Sequence, residues 1–106
     1  MDIWMTVSTY DYTMYASAHL TRGGAYFEML RDIIGFCDLE DSEEFAELLS
    51  WSEASEFDAH ALMKMDVETD PDLLKSTALH LLDFAVETGR MNGHYDIEVI
   101  KQPVRP

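Results

Sequence analysis

Cysteine is nearly missing from this chain of 106 residues: Cys37 stands alone. A single thiol excludes an internal disulfide and any multi-cysteine zinc or iron–sulfur site within the chain, so a reducing, cytoplasmic setting is expected. Basic residues are also scarce, with 7 Lys and Arg against 21 Asp and Glu and a net charge of −14. So small a body at that charge carries a strongly negative potential, which repels nucleic acid and anionic membrane alike. The sequence therefore predicts no direct nucleic-acid partner and no membrane partner. What such a surface attracts is cationic, either a basic protein face or a metal ion. Long apolar runs are lacking too. No stretch approaches the ~18 residues of a membrane span, and the opening MDIWMTVSTY has neither the basic region nor the apolar run of a secretion signal.

Catalytic signatures are equally sparse. There is no GxSxG, and Gly23-Gly24 is too short to cradle a phosphate. Cys37 lies between Phe36 and Asp38, surroundings that raise a thiol pKa, which argues against a nucleophile. His19, His60, His80 and His94 form no HExxH, no HxH and no Cys/His pair at zinc-ligand spacing. His80, between Leu79 and Leu81, reads as a boundary residue with one hydrogen-bonded nitrogen. The string DLEDSEE lacks the glycine and the final glutamate of an EF-hand loop. The expectation is a protein that is not an enzyme, with no cofactor and no metal ligands. A small metal-dependent enzyme using an Asp/Glu cluster with His60 or His80 is the alternative from another class.

What is present is enough to fold. Hydrophobic residues make up 47% of the chain and twelve are aromatic, which argues against an acidic disordered tail. A chain of this length buries roughly 60–68% of its unfolded surface, enough for a single core. Residues 1–106 are expected to form one compact domain, with 102–106 as a short tail.

Ile3, Met5 and Val7 alternate with Trp4, Thr6 and Ser8, which predicts a strand. Its apolar groups fall on both faces, as in a strand covered on both sides. Residues 12–20 match both a strand and a helix by spacing, and the β-propensity of YDYTMY favours the strand. Gly23-Gly24 reads as a turn or a helix C-cap. From Ala25, Tyr26, Met29, Leu30, Ile33 and Ile34 share a helical stripe that Gly35 is expected to end.

Asp41 and Glu44 have the layout of a capping box before Phe45, Leu48 and Leu49, and Trp51 is expected to close that helix on the core. Ser52 or Ser55 would cap a further helix carrying Phe57, Ala61, Leu62 and Met65. Asp70-Pro71 starts a long helix over about 71–88, with Gly89 at C′. After the turn-forming Asn92-Gly93, Tyr95, Ile97 and Val99 alternate with Asp96 and Glu98 in a last strand that Pro103 should stop. The predicted fold is α+β. A two- or three-stranded antiparallel sheet, made of the N-terminal strand or hairpin plus the C-terminal strand, packs against about four helices on one face.

One feature exceeds what folding requires. Between Arg31 and Lys64 there are ten carboxylates in 32 residues and no Lys or Arg. A solvated face accounts for such a run in many acidic proteins. The alternative is a surface whose carboxylates stand in for phosphates and draw in the basic groove of a nucleic-acid-binding protein. Glu40, Asp41, Glu43, Glu44, Glu47, Glu53, Glu56 and Asp58 are the candidate contacts.

In size and charge the chain is similar to small acidic antagonists, the phage-encoded inhibitors of defence nucleases and the immunity proteins of nuclease toxins. That likeness implies a non-enzymatic inhibitor of a basic nucleic-acid-binding protein or nuclease, with an immunity protein or antitoxin as the alternative. Seven methionines and the aromatic set Trp4, Tyr10, Tyr12, Tyr15 and Tyr26 are core material or part of an interface. A short sheet leaves an unpaired edge, and Ile100 interrupts the polar face made by Asp96 and Glu98. Even so, like charge on both halves favours a monomer over a dimer, and any dimer is expected to form through the strands.

Overall fold

The computed structural model describes residues 2–53, 57–91 and 95–103. β1 (Asp2–Tyr10) and β2 (Thr13–His19) form a hairpin, and β3 (Tyr95–Pro103) returns antiparallel to the other side of β1, giving the order β2-β1-β3. Between them run α1 (Arg22–Phe36), α2 (Ser42–Ser52), the single turn α3 (Ala59–Leu62) and α4 (Pro71–Glu87). The fold is the expected small α+β arrangement, with the strand alternative realised at 13–19. The hairpin turn places Asp11 and Tyr12 at φ 48° and 69°. Positive φ at both central residues gives the primed turn whose twist suits right-twisted strands.

Side chains of one parity on β1 face α1. Thr6 Oγ1 donates to the Ala25 carbonyl at 2.7 Å, and the Tyr10 ring meets Phe36 at 5.8 Å. Through the register, Tyr15 and Ser17 on β2 and Tyr95, Ile97 and Val99 on β3 share that face. The opposite face carries Ile3, Met5 and Val7, flanked by Met14, Ala16 and Ala18, and Met14 is 70% exposed. β1 is thus central in the sheet but helix-covered on one face only. The expectation of cover on both sides fails because the whole core lies on the α1 side. That core joins Met29, Leu30 and Ile33 of α1 to Leu74, Ala78, Leu81 and Phe84 of α4, with Leu48, Leu62 and Ile97 closing it.

Three glycines do the reverse of what was expected. Gly23-Gly24 lies inside the first turn of α1, which Thr21 caps by accepting from the Gly24 N–H at 3.0 Å. A Cβ on Gly23 would sit 3.4 Å from Pro71 Cγ and from the Val67 carbonyl oxygen, so the residue serves close approach of α1 to α4. Gly35 is a helical residue. Termination falls just after it, with Phe36 the last helical residue, Cys37 the C-cap and Asp38 at φ 53°.

The long helix follows its signals. Asp70 accepts from the Asp72 and Leu73 N–H groups, Pro71 occupies the first turn, and Gly89 at φ 75° follows the Thr88 cap. The helix expected from Ser52 or Ser55 reduces to the one turn of α3, capped by Asp58. Ser52 instead ends α2 in a buried position, while Ser55 lies outside the described residues, as does the Asn92-Gly93 turn. β3 extends through Gln102 to Pro103, which stands opposite Asp2, so pairing takes in two residues assigned to the tail. Proline is tolerated there because it is the last residue of an edge strand.

Gly35 offers a direct test of the helix boundary. A Cβ there meets nothing within 4 Å. Gly35→Ala is expected to stabilise the fold by about 0.5–1 kcal/mol, read by denaturant unfolding. A loss of stability would mean that the chain leaves the helix at this residue.

Candidate functional site

The acidic run is partitioned by its local chemistry. Asp41 is the N-cap of α2, accepting from the Glu43 and Glu44 N–H groups at 2.9 and 3.2 Å. Asp58 does the same for α3 through His60 and Ala61. These carboxylates are engaged by orphan helix amides, as the free N–H groups of any helix start require. The capping box at Asp41 is half formed. The Asp41 N–H is already given to the Asp38 carbonyl, and the Glu44 carboxylate turns to Arg90, 2.8 Å from its Nε. Glu44 therefore has a counter-ion, supplied by the segment after α4 from outside the run.

The residues left uncommitted are Glu40, Glu43, Glu47 and Glu53, all exposed and without an ion pair among the described residues. Helical spacing sets Glu43 and Glu47 one turn apart on the outer face of α2, with Glu40 preceding them. Leu48, Leu49 and Phe45 point the other way, into the core. Glu56 lies outside the described residues. The structure thus aligns Glu40, Glu43 and Glu47, sets Glu53 at the far end of α2, and assigns Asp41, Glu44 and Asp58 local partners.

The other chemical candidates occupy packing positions. Cys37 is 4% exposed, and burial pushes its thiol up against the opposing influence of Arg90. His19 shares a hydrogen bond with Ser17 at 2.9 Å, His60 packs edge-on to Phe45, and His94 lies outside the described residues. His80 meets Ser52 Oγ at 2.9 Å and lies between the Phe57 ring, stacked at 4.0 Å, and Trp51 at 4.9 Å. Among the described residues no three His, Cys, Asp or Glu side chains are grouped to hold a metal ion, and no helix is long and apolar enough to cross a membrane.

Sequence reasoning passed over a groove between β2 and α1. It encloses about 520 Å³ and is lined by Thr6, Ser8, Tyr15 and Ser17 of the sheet and by Glu28, Arg31, Asp32 and Phe36 of α1. Burial raises the Asp32 carboxyl, and the neighbouring Glu28 raises it further. The Tyr95 hydroxyl, also lining the groove, is pushed up to about 12 by burial and by Asp32. The available signal was the four-residue spacing of Glu28 and Asp32 on a helix otherwise committed to the core.

His80 makes the stability of this region pH-dependent. Burial lowers its pKa from 6.5, while Asp83 opposes the shift. The folded state therefore binds fewer protons than the unfolded chain, so stability is full above pH ~6.5 and declines as pH falls through the unfolded pKa. His80→Gln is expected to flatten the melting temperature between pH 7.5 and 5.5 relative to wild type; an unchanged slope would assign that dependence to other groups. In comparisons with protein-family models, curated proteins and solved structures, the chain matches none.

Proposed function

We propose that this protein is a non-enzymatic inhibitor that acts as a cytoplasmic monomer by covering the basic, nucleic-acid-binding surface of another protein. The observation that supports this is the outer face of α2, where Glu43 and Glu47 stand exposed without counter-ions among the described residues on a core-anchored helix. Residues 41–53 span about 20 Å at 1.5 Å per residue. They carry five carboxylates, about one per 4 Å, against 3.4 Å per phosphate along one DNA strand. Discounting Glu44, which Arg90 neutralises, the spacing becomes about 5 Å. This is a sparser charge line than nucleic acid, but it carries the same sign and stands on a firm base.

Such a contact is steered by charge, so association is fast at low salt and slows as the Debye length contracts. The test captures the partner from lysate of the native host and measures its affinity for wild type and for Glu40→Lys/Glu43→Lys/Glu47→Lys, with melting temperature as the folding control. Glu44 is left intact because it holds Arg90. The triple variant is expected to bind at least tenfold more weakly, and duplex DNA is expected to compete with the wild-type protein. Unchanged affinity, or binding indifferent to DNA, would refute the proposal.

A further inference from the structure

The outer edge of β2 has no strand beside it among the described residues, since β2 is terminal in the order β2-β1-β3. The two-residue turn makes Tyr10 and Thr13 the closing hydrogen-bonded pair of the hairpin. Alternation along the register then commits the backbone groups of Tyr15, Ser17 and His19 to β1. Those of Met14, Ala16 and Ala18 point outward, with no strand to pair them among the described residues. Natural edges are usually blunted by lysine, other charges, proline or a bulge. The sequence of β2, TMYASAH, holds no Lys, Arg, Asp, Glu, Pro or Gly, and its register with β1 runs unbroken from His19 to Thr13. The other edge contrasts with it: β3 carries Asp96, Glu98, Lys101 and Pro103.

What lies beside the open edge defines what can add to it. On the α1 side is the groove of about 520 Å³, with Glu28 and Asp32 on its helical wall and Tyr15 and Ser17 on its strand wall. Arg31 also lines it, with its guanidinium 5.9 Å from the Phe27 ring centroid, so Glu28, Arg31 and Asp32 together carry one net negative charge. Asp32 is partly buried on that wall, where burial and Glu28 raise its carboxyl while Arg31 and His19 lower it, so a further cation placed beside it favours the charged form. On the other side of the edge are Met14, Ala16 and Ala18, which are apolar and exposed.

We propose that β2 is a docking strand for an extended peptide that adds to the sheet edge, placing a Lys or Arg side chain in the groove beside Glu28 and Asp32 and apolar side chains beside Met14, Ala16 and Ala18. Backbone bonds to residues 14, 16 and 18 supply affinity, and alternation of the added strand supplies specificity. A second copy of this chain is a poor occupant. Its own β2 has no Lys or Arg to give the groove, and it brings a further −14 of charge. The site is separate from the acidic face of α2 and does not depend on it.

The probe is a capped octapeptide alternating Val and Lys, titrated into the full chain by amide-resolved NMR with hydrogen exchange. Binding is expected to protect the Met14, Ala16 and Ala18 amides. Ala16→Pro, which removes an outward N–H that the hairpin does not use, is expected to weaken binding at least tenfold. Glu28→Gln/Asp32→Asn is expected to weaken the Val/Lys peptide but not a Val/Ser one. Glu43→Lys/Glu47→Lys on α2 is expected to leave the peptide affinity within twofold, which separates this site from the proposed inhibitory face.

Four results would overturn the docking strand: no binding at millimolar peptide, binding that leaves those three amides unprotected, an equal loss from the α2 variant, or protection of the same amides in the free protein as its concentration rises. The last would make a second copy the occupant. The exchange measurement uses the wild-type chain, so it stands even if Ala16→Pro fails to fold.

Discussion

The packing of α1 between the sheet and α4 is the constraint from which the rest of the molecule follows. α1 touches all three strands on one side and runs along α4 on the other. Small residues make the double contact possible. Ala25 is fully buried, with its carbonyl accepting from Thr6, and the missing side chain at Gly23 lets Pro71 and the Val67 carbonyl approach. A larger residue at either place would push one layer away, with the cost of overpacking. Because one helix bridges the two layers, the core sits entirely on its side of the sheet, and the face of Ile3, Met5 and Val7 remains outside it. The groove at β2 has the same origin: α1 is centred on β1, the middle strand, and leaves Tyr15 of β2 exposed beside it.

Three of the seven cations join elements. Arg22 pairs with Asp72 at 2.6 Å, linking the starts of α1 and α4; Arg90 holds Glu44; Lys101 reaches Asp2 at 3.3 Å and lies over the Trp4 ring. The more exposed pairs, Arg22–Asp72 and Lys101–Asp2, contribute roughly 0–1 kcal/mol each, so their effect on stability is small. Arg90 reaches only Glu44 on α2; Glu43 and Glu47 have no ion pair among the described residues and repel each other at one helical turn by a few tenths of a kcal/mol. Leu48, Leu49 and Phe45 hold the helix against that repulsion.

Much of the fold was legible because its signals are local. Asp70, Pro71 and Gly89 fix α4 through free amides, a preset φ and a positive φ, none of which needs a tertiary partner. The period of two in β1 and β3 worked for the same reason. The errors came where tertiary contact reassigns a residue. Gly23-Gly24 has the local look of a turn, and only the approach of Pro71 shows why a helix begins there. Glu44 was placed in a capping box because Arg90, 46 residues away, could not be seen competing for it. The same limit applies to the candidate sites. The acidic run is contiguous and so was visible. The β2 groove draws on four segments, β1, β2, α1 and β3, and was not, although TMYASAH plainly lacks any Asp, Glu, Lys, Arg or proline.

The net charge and the bare edge of β2 explain each other. A seven-residue edge strand with no local protection is an aggregation hazard, because an identical strand can pair with it in register. Local charge on β2 would prevent this, but it would also repel or mispair an incoming peptide. Charge spread over the rest of the molecule has a different selectivity. At −14 per copy, approach of a second identical chain is opposed at distances up to the Debye length, ~8 Å at physiological salt. A short cationic segment meets the same field as an attraction. The sign of the field discriminates between the two occupants before any backbone bond forms, which leaves the strand itself free to keep small, uncharged side chains. The acidity that opposes compaction of this chain thereby makes an open sheet edge tolerable in solution.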